Sequence, residues 1–139
     1  MLNTKSFNAT IIFSLAATIL LSASCAMISP ADPVRALEEK AVEFAQVLNA
    51  NDMDRHYYYM SPEFRETHSI EHFKSRKRPV YTNVKFVRID WQDATHATAY
   101  YTADMDLMAF KFAQTRIHFP FELTPDGWFL KYKDFYNSL

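Results

Sequence analysis

The chain has 139 residues, 15 basic and 16 acidic side chains, a formal net charge of −1, one glycine and one cysteine. Near-neutral charge argues against bulk nucleic-acid binding, which needs an excess of Lys and Arg to displace counterions. A single glycine excludes a phosphate-cradling loop or dinucleotide fingerprint, and a single cysteine excludes an intrachain disulfide, Cys-x-x-Cys redox chemistry and cysteine-based zinc sites; no metal and no cofactor is expected.

Residues 1–24 begin with a short polar stretch carrying Lys5. An apolar run of about a dozen residues follows from Ile11 to Leu21, then the small residues Ser22-Ala23-Ser24 and the lone Cys25. This charged, apolar, small-residue order is that of a secretory signal peptide. The run is short of the roughly 20 residues that span a bilayer. Extension through Met27 and Ile28 would lengthen it into a retained single anchor, which is the alternative. The stretch resembles a bacterial lipoprotein signal, in which a peptidase cuts before a cysteine that receives a diacylglycerol. That pattern places an aliphatic residue three before the cysteine; here Ser22 holds the position and Leu21 lies one place early. Exported proteins keep cysteines in pairs or not at all, so an unpaired one at the cleavage point reads as a lipid attachment site, with plain secretion as the other outcome. The resemblance implies a membrane partner through a lipid on Cys25. With Ala26 next, it implies outer-membrane sorting, facing the periplasm, in a Gram-negative cell.

Removal of residues 1–24 leaves about 115 residues, one small domain, with a net charge of −2. Residues 25–32 read as a tether. Asp32 is placed to cap a helix and Pro33 to start it. Val34, Leu37, Ala41, Phe44, Ala45 and Leu48 then recur at helical spacing. Asn49 to Asp52 ends that helix. A shorter one is predicted over Met53 to Met60. Ser61-Pro62 starts another with Phe64 as its anchor, and Ser69 caps a further turn carrying Ile70 and Phe73.

The pattern changes after Pro79. Val80 to Trp91 is rich in β-branched and aromatic residues, Gln92-Asp93 makes a turn, and Ala94 to about Met108 alternates as a second strand. Thr115 to Leu123 forms a third, with Ile117, Phe119, Phe121 and Leu123 on one side. Thr124-Pro125-Asp126-Gly127 is a turn in which Pro presets φ and Gly supplies a positive φ. Trp128, Leu130 and Tyr132 then share one face of a last strand, with Phe129 and Lys131 on the other. Helices first and about four antiparallel strands after them give an α+β fold, helices packed on one face of the sheet.

This order of elements, with the Met60-Ser61-Pro62-Glu63-Phe64-Arg65 segment and the closing Asp126-Gly127-Trp128-Phe129-Leu130-Lys131 strand, resembles the nuclear transport factor 2-like superfamily. The resemblance covers roughly residues 33–136, within a domain of 33–139. It implies a cone-shaped domain, a curved sheet and a cavity between helices and sheet. Members include isomerases, cyclases, dehydratases, non-catalytic binders and scaffold domains of secretion and conjugation machines. The fold alone therefore assigns no chemistry.

Four constellations are candidates for chemistry. Phe44, Tyr58, Tyr100, Phe119 and Trp128 have phases compatible with one interior, either as core or as the lining of an apolar ligand pocket. Asp104 and Asp106 share a strand face: if it faces the cavity, mutual repulsion would raise one carboxyl's pKa and create an acid/base pair, and otherwise it is a strand end facing water; the resemblance implies Tyr or His partners inside the cone, for which His56, Tyr57, Tyr58, Tyr59, Tyr100 and Tyr101 are candidates. No catalytic residue is assigned among them. His68-Ser69-Ile70-Glu71-His72 fits an H-x-x-E-H zinc string, but Ser69 as a cap would break the helical face between the two histidines. Lys74-Ser75-Arg76-Lys77-Arg78 is a basic run, either a solvated helix end or a contact for anionic head groups or an acidic partner.

The reading from sequence is an exported, lipid-anchored cell-envelope protein acting as a non-catalytic binding module for a small hydrophobic molecule or an envelope protein. A second copy of the chain is a further candidate partner. The alternatives are a cavity enzyme doing acid/base chemistry of isomerase or dehydratase type, and an anchored subunit of an envelope secretion or conjugation assembly.

Overall fold

The computed structural model describes residues 32–131. The signal segment, Cys25, nearly all of the tether, and Tyr132 with the residues after it lie outside the described residues. Four helices precede four strands: α1 (Pro33–Asn49), α2 (Met53–Tyr58), α3 (Pro62–Thr67), α4 (Ile70–Ser75), β1 (Val80–Trp91), β2 (His96–Leu107), β3 (Phe110–Thr124) and β4 (Gly127–Leu130). The strands form one antiparallel, curved and unclosed sheet in the order β1-β2-β3-β4. The fold is α+β, as a run of helix-period segments followed by a run of strand-period segments dictates.

The helix starts follow from side-chain capping. The Asp32 carboxylate accepts from the Val34 N–H at 3.0 Å, and Pro33 follows it in the first turn. Asp52, Ser61 and Ser69 cap α2, α3 and α4 in the same way, each satisfying one of the orphan N–H groups of a helix start. α2 is a single short turn-and-a-half ending at Tyr58, two residues before the predicted end. On α1 the buried face is Leu37, Ala41, Phe44, Ala45, Val47 and Leu48. Val34, expected on that face, is 43% exposed.

Sheet curvature has local causes. Register shifts interrupt β1 against β2 between Thr82 and Lys85 and between Phe86 and Arg88, and β2 against β3 between Ala103 and Met105. An extra residue on one strand bends it and sharpens its twist. Asn83 and Gln114 sit at two of these shifts with φ of 52° and 50°. Asp104 ties them together: its carboxylate accepts from Asn83 Nδ2 at 2.6 Å and from the Gln114 N–H at 2.9 Å. Asn49, the last residue of α1, clips the first bulge to the helix. It donates to the Val84 carbonyl at 3.0 Å and accepts from the Val84 N–H at 2.8 Å.

β3 begins five residues earlier than predicted. Phe110 to Gln114 continue the strand, and the β2–β3 connection is the two-residue turn Met108-Ala109. In β4 the expected alternation fails, since Phe129 is buried along with Trp128 and Leu130. Phe129 pairs with Glu122 on the face away from Trp128, but Lys40 Nζ lies 4.6 Å from its ring centroid and the Arg65 guanidinium 5.9 Å, so two long side chains cover it. At the opposite edge of the core, Trp128 Nε1 donates to the Pro33 carbonyl at 2.9 Å and packs on Trp91, tying the start of α1 to that end of the sheet.

Candidate functional site

The space between α1 and the sheet is filled by aromatic rings. Phe44 is fully buried and meets Phe119 at 5.1 Å, Phe121 at 6.2 Å and Tyr101 at 6.3 Å between centroids, each edge to face. This is the preferred geometry for ring quadrupoles in a packed core. The Tyr101 hydroxyl donates to the Ala41 carbonyl at 3.0 Å, and burial raises its pKa well above the usual tyrosine range.

Of the five residues predicted to face one interior, the structure brings together Phe44 and Phe119 in this core, with Trp128 buried at its edge. Tyr58 is 60% exposed on α2, next to the buried Tyr57. Tyr100 lies on the outer face of β2, between the Arg88 guanidinium at 4.3 Å and the His118 ring at 5.8 Å. Alternation along β2 decides this: Ala97, Ala99, Tyr101 and Ala103 face in, so Tyr100 faces out.

The remaining constellations are placed as follows. Asp104 is a carboxylate already engaged by Asn83 and Gln114; those hydrogen bonds hold its pKa below the ordinary value, the reverse of the rise an acid/base pair requires. Asp106 pairs across the hairpin with Lys111 at 3.8 Å. His56 is 6% exposed, between Phe44 at 5.1 Å and Phe73 at 5.3 Å, and its Nε2 has no hydrogen-bond partner. Burial, with the nearby Arg78 charge, lowers its pKa to about 3, so it stays neutral. It borders a cavity of about 20 Å³ lined also by Val47, Met53, Arg78 and Tyr81, room for about one water. In the zinc-like string, His68 ends α3 and Ser69 caps α4, so the two histidines sit on different helices. The His68 ring stacks on Phe64 at 4.3 Å, and its Nδ1 lies 2.8 Å from Thr67 Oγ1. Among the described residues no group of three or more His, Cys, Asp or Glu side chains converges as a metal site, and no helix is long and apolar enough to cross a membrane.

The described surface carries open depressions of similar size, about 440 to 500 Å³, and among them is a groove of about 500 Å³ between α3 and the β3–β4 hairpin. Its position follows from a long-range junction. Leu130 N–H donates to the Tyr59 carbonyl at 2.8 Å, and Met60 bridges Leu130 in parallel, so the start of α3 is held against β4. Phe64, Phe129 and Leu130 give the groove apolar wall, while Glu63, His68, Glu122 and Lys131 give it charged and polar rim. Sequence reading picked out Phe64 as an anchor and His68 within the zinc string, but not their apposition to β4. The signal present was the pair of Pro-led and Gly-led segments, 61–64 and 127–130, each carrying aromatics with no assigned packing partner.

No protein-family model and no curated protein sequence matches the chain.

Proposed function

We propose that the protein is an exported, lipid-anchored module of the cell envelope that binds a small hydrophobic molecule or an apolar peptide segment without chemically changing it, in the groove between α3 and the β3–β4 hairpin. The observation that carries the reading is the groove itself. At about 500 Å³ it falls within the range of small-molecule sites, and an apolar wall with a few convergent polar groups is their usual lining. The interior that a cone-shaped enzyme would use is occupied by Phe44, Tyr101, Phe119 and Phe121. A buried histidine with a pKa of about 3 is too weak a base at neutral pH, and the Asp104 carboxylate is held ionised by its own hydrogen bonds. The anchorage rests on the sequence order at residues 5–25, with Cys25 as the lipid site.

The binding half is tested with the hydrophobic dye 1-anilinonaphthalene-8-sulfonate. Native protein should bind it saturably, and Glu63→Trp, a change at an exposed rim position, should weaken binding at least several-fold by filling the groove. Equal dye binding by both proteins would remove the groove from the account.

A further inference from the structure

The fold brings two sequence features to one end of the molecule that are 30 residues apart in the chain. The first is the apex of the β2–β3 hairpin. Met108 is 79% exposed, Phe110 67% and Phe112 44%, and the pairs Leu107↔Phe110 and Met105↔Phe112 set the two phenylalanines on one face of the hairpin, with Met108 in the turn beside them. Met108 holds φ of 57° in the two-residue turn, a conformation for which glycine is the ordinary choice. The chain thus keeps a long apolar side chain at an apex where backbone strain disfavours it. The second feature is the basic run. Arg78 lies two residues before Val80, Val80 pairs with Asp106, and Asp106 pairs with Lys111. Two strand spacings, about 10 Å, therefore separate the start of β1 from the hairpin apex. Arg76 and Lys77 are exposed and precede the start of β1 by four and three residues, while Lys111 lies on the hairpin face opposite Phe110 and Phe112, paired with Asp106 at 3.8 Å.

We propose that this end, the exposed Met108–Phe112 apex together with the basic run that leads into β1, docks on an anionic lipid surface. Apolar side chains on a narrow protrusion insert to the depth of the head groups, and the cations beside them meet lipid phosphates. Charge complementarity selects this occupant: the run Lys74-Ser75-Arg76-Lys77-Arg78 carries four cations and no carboxylate, so a neutral or cationic partner gains nothing from it, and a second copy on the apex is an outcome of the test below. The contact is separate from any anchorage through the N-terminal segment. Pro33 is tied to Trp128 at the other end of the sheet, and the ten residue steps along β2 from Ala97 to Leu107 put about 34 Å between the two ends. With Cys25 lipidated, residues 25–32 reach at most about 28 Å, so both contacts meet one membrane with the sheet lying along it rather than standing upright.

The test uses the full chain with Cys25→Ser and Ala109→Cys, labelled at the apex with a fluorophore. It is mixed with vesicles of phosphatidylcholine alone or of phosphatidylcholine and phosphatidylglycerol in equal parts, each carrying nitroxide-labelled lipid. Quenching of the apex label should be several-fold stronger on the anionic vesicles, and vesicle affinity should fall about five-fold for each cation neutralised in Arg76→Gln and Lys77→Gln. A label at Asp126→Cys, in the turn at the far end, should show no such preference. These substitutions are at exposed positions, and far-UV circular dichroism checks that each variant is folded. Absent quenching, equal quenching on both vesicles, or concentration-dependent self-quenching without lipid would each overturn the proposal, the last by showing a second copy on the apex.

Discussion

Burial of His56 makes stability depend on pH in a calculable way. Its pKa is lowered from 6.5 to about 3 by burial and by Arg78, so between those values the unfolded chain binds a proton that the folded chain does not. The contribution is complete above the unfolded value and is lost as pH falls toward the folded one. Taking the two values together, lowering the pH from 7 to 5 should cost about 2 kcal/mol. The depressed pKa values of Asp93 and Asp104 act in the same direction but only at lower pH, since their loss begins near the ordinary carboxylate range. The window from pH 7 to 5 therefore isolates His56 from them. Urea unfolding followed by fluorescence of Trp91 and Trp128 is a suitable assay, because that pair reports the closed end of the core. With a typical urea dependence for a small domain, the midpoint should fall by about 1 M. In His56→Met, of similar size and without a titrating group, most of that shift should disappear. A wild-type midpoint that does not move, or a His56→Met protein that moves as far as wild type, would refute the reasoning.

Three further outcomes are expected. Tyr101→Phe removes the hydroxyl that binds the Ala41 carbonyl and should cost about 1 kcal/mol in the same urea assay, without altering the far-UV spectrum. Asp32→Ala removes the cap of α1 and should cost about 1 kcal/mol, visible as a lower thermal midpoint. Gly127→Ala meets open space but keeps φ of 116°, so the loss, of order 1–3 kcal/mol, should come from backbone strain rather than crowding; Gly127→Asn should recover part of it.

The parts of the fold legible in the sequence are those governed by local chemistry. Asp32-Pro33, Ser61-Pro62 and Ser69 announce helix starts because a short oxygen-bearing side chain there satisfies a backbone N–H three-dimensional packing has no part in. β1 is legible end to end because Pro79 precedes it and a β-branched, aromatic run fills it. What failed to be legible depends on contacts between distant segments. The Met108-Ala109 turn carries none of the usual turn residues, so Phe110 to Gln114 did not read as strand. Tyr100 and Tyr101 are adjacent, and periodicity alone does not say which faces the core; the small residues Ala97, Ala99 and Ala103, in phase with Tyr101, mark the side that α1 approaches. Phe129 is buried only because α1 and α3 bring Lys40 and Arg65 over it. The groove depends on the Tyr59–Leu130 junction, which joins segments some 70 residues apart and leaves no local pattern. Asp104 and Asp106 share a strand as expected, yet the bulge at Gln114 turns Asp104 into a structural acceptor.

That a lipid on Cys25 holds this domain at the cell envelope is checked by the intact mass of the protein extracted from its native membranes under denaturing conditions. The account predicts a chain beginning at Cys25 and carrying acyl groups. A full-length chain, or an unacylated one beginning at Cys25 or Met27, would contradict it.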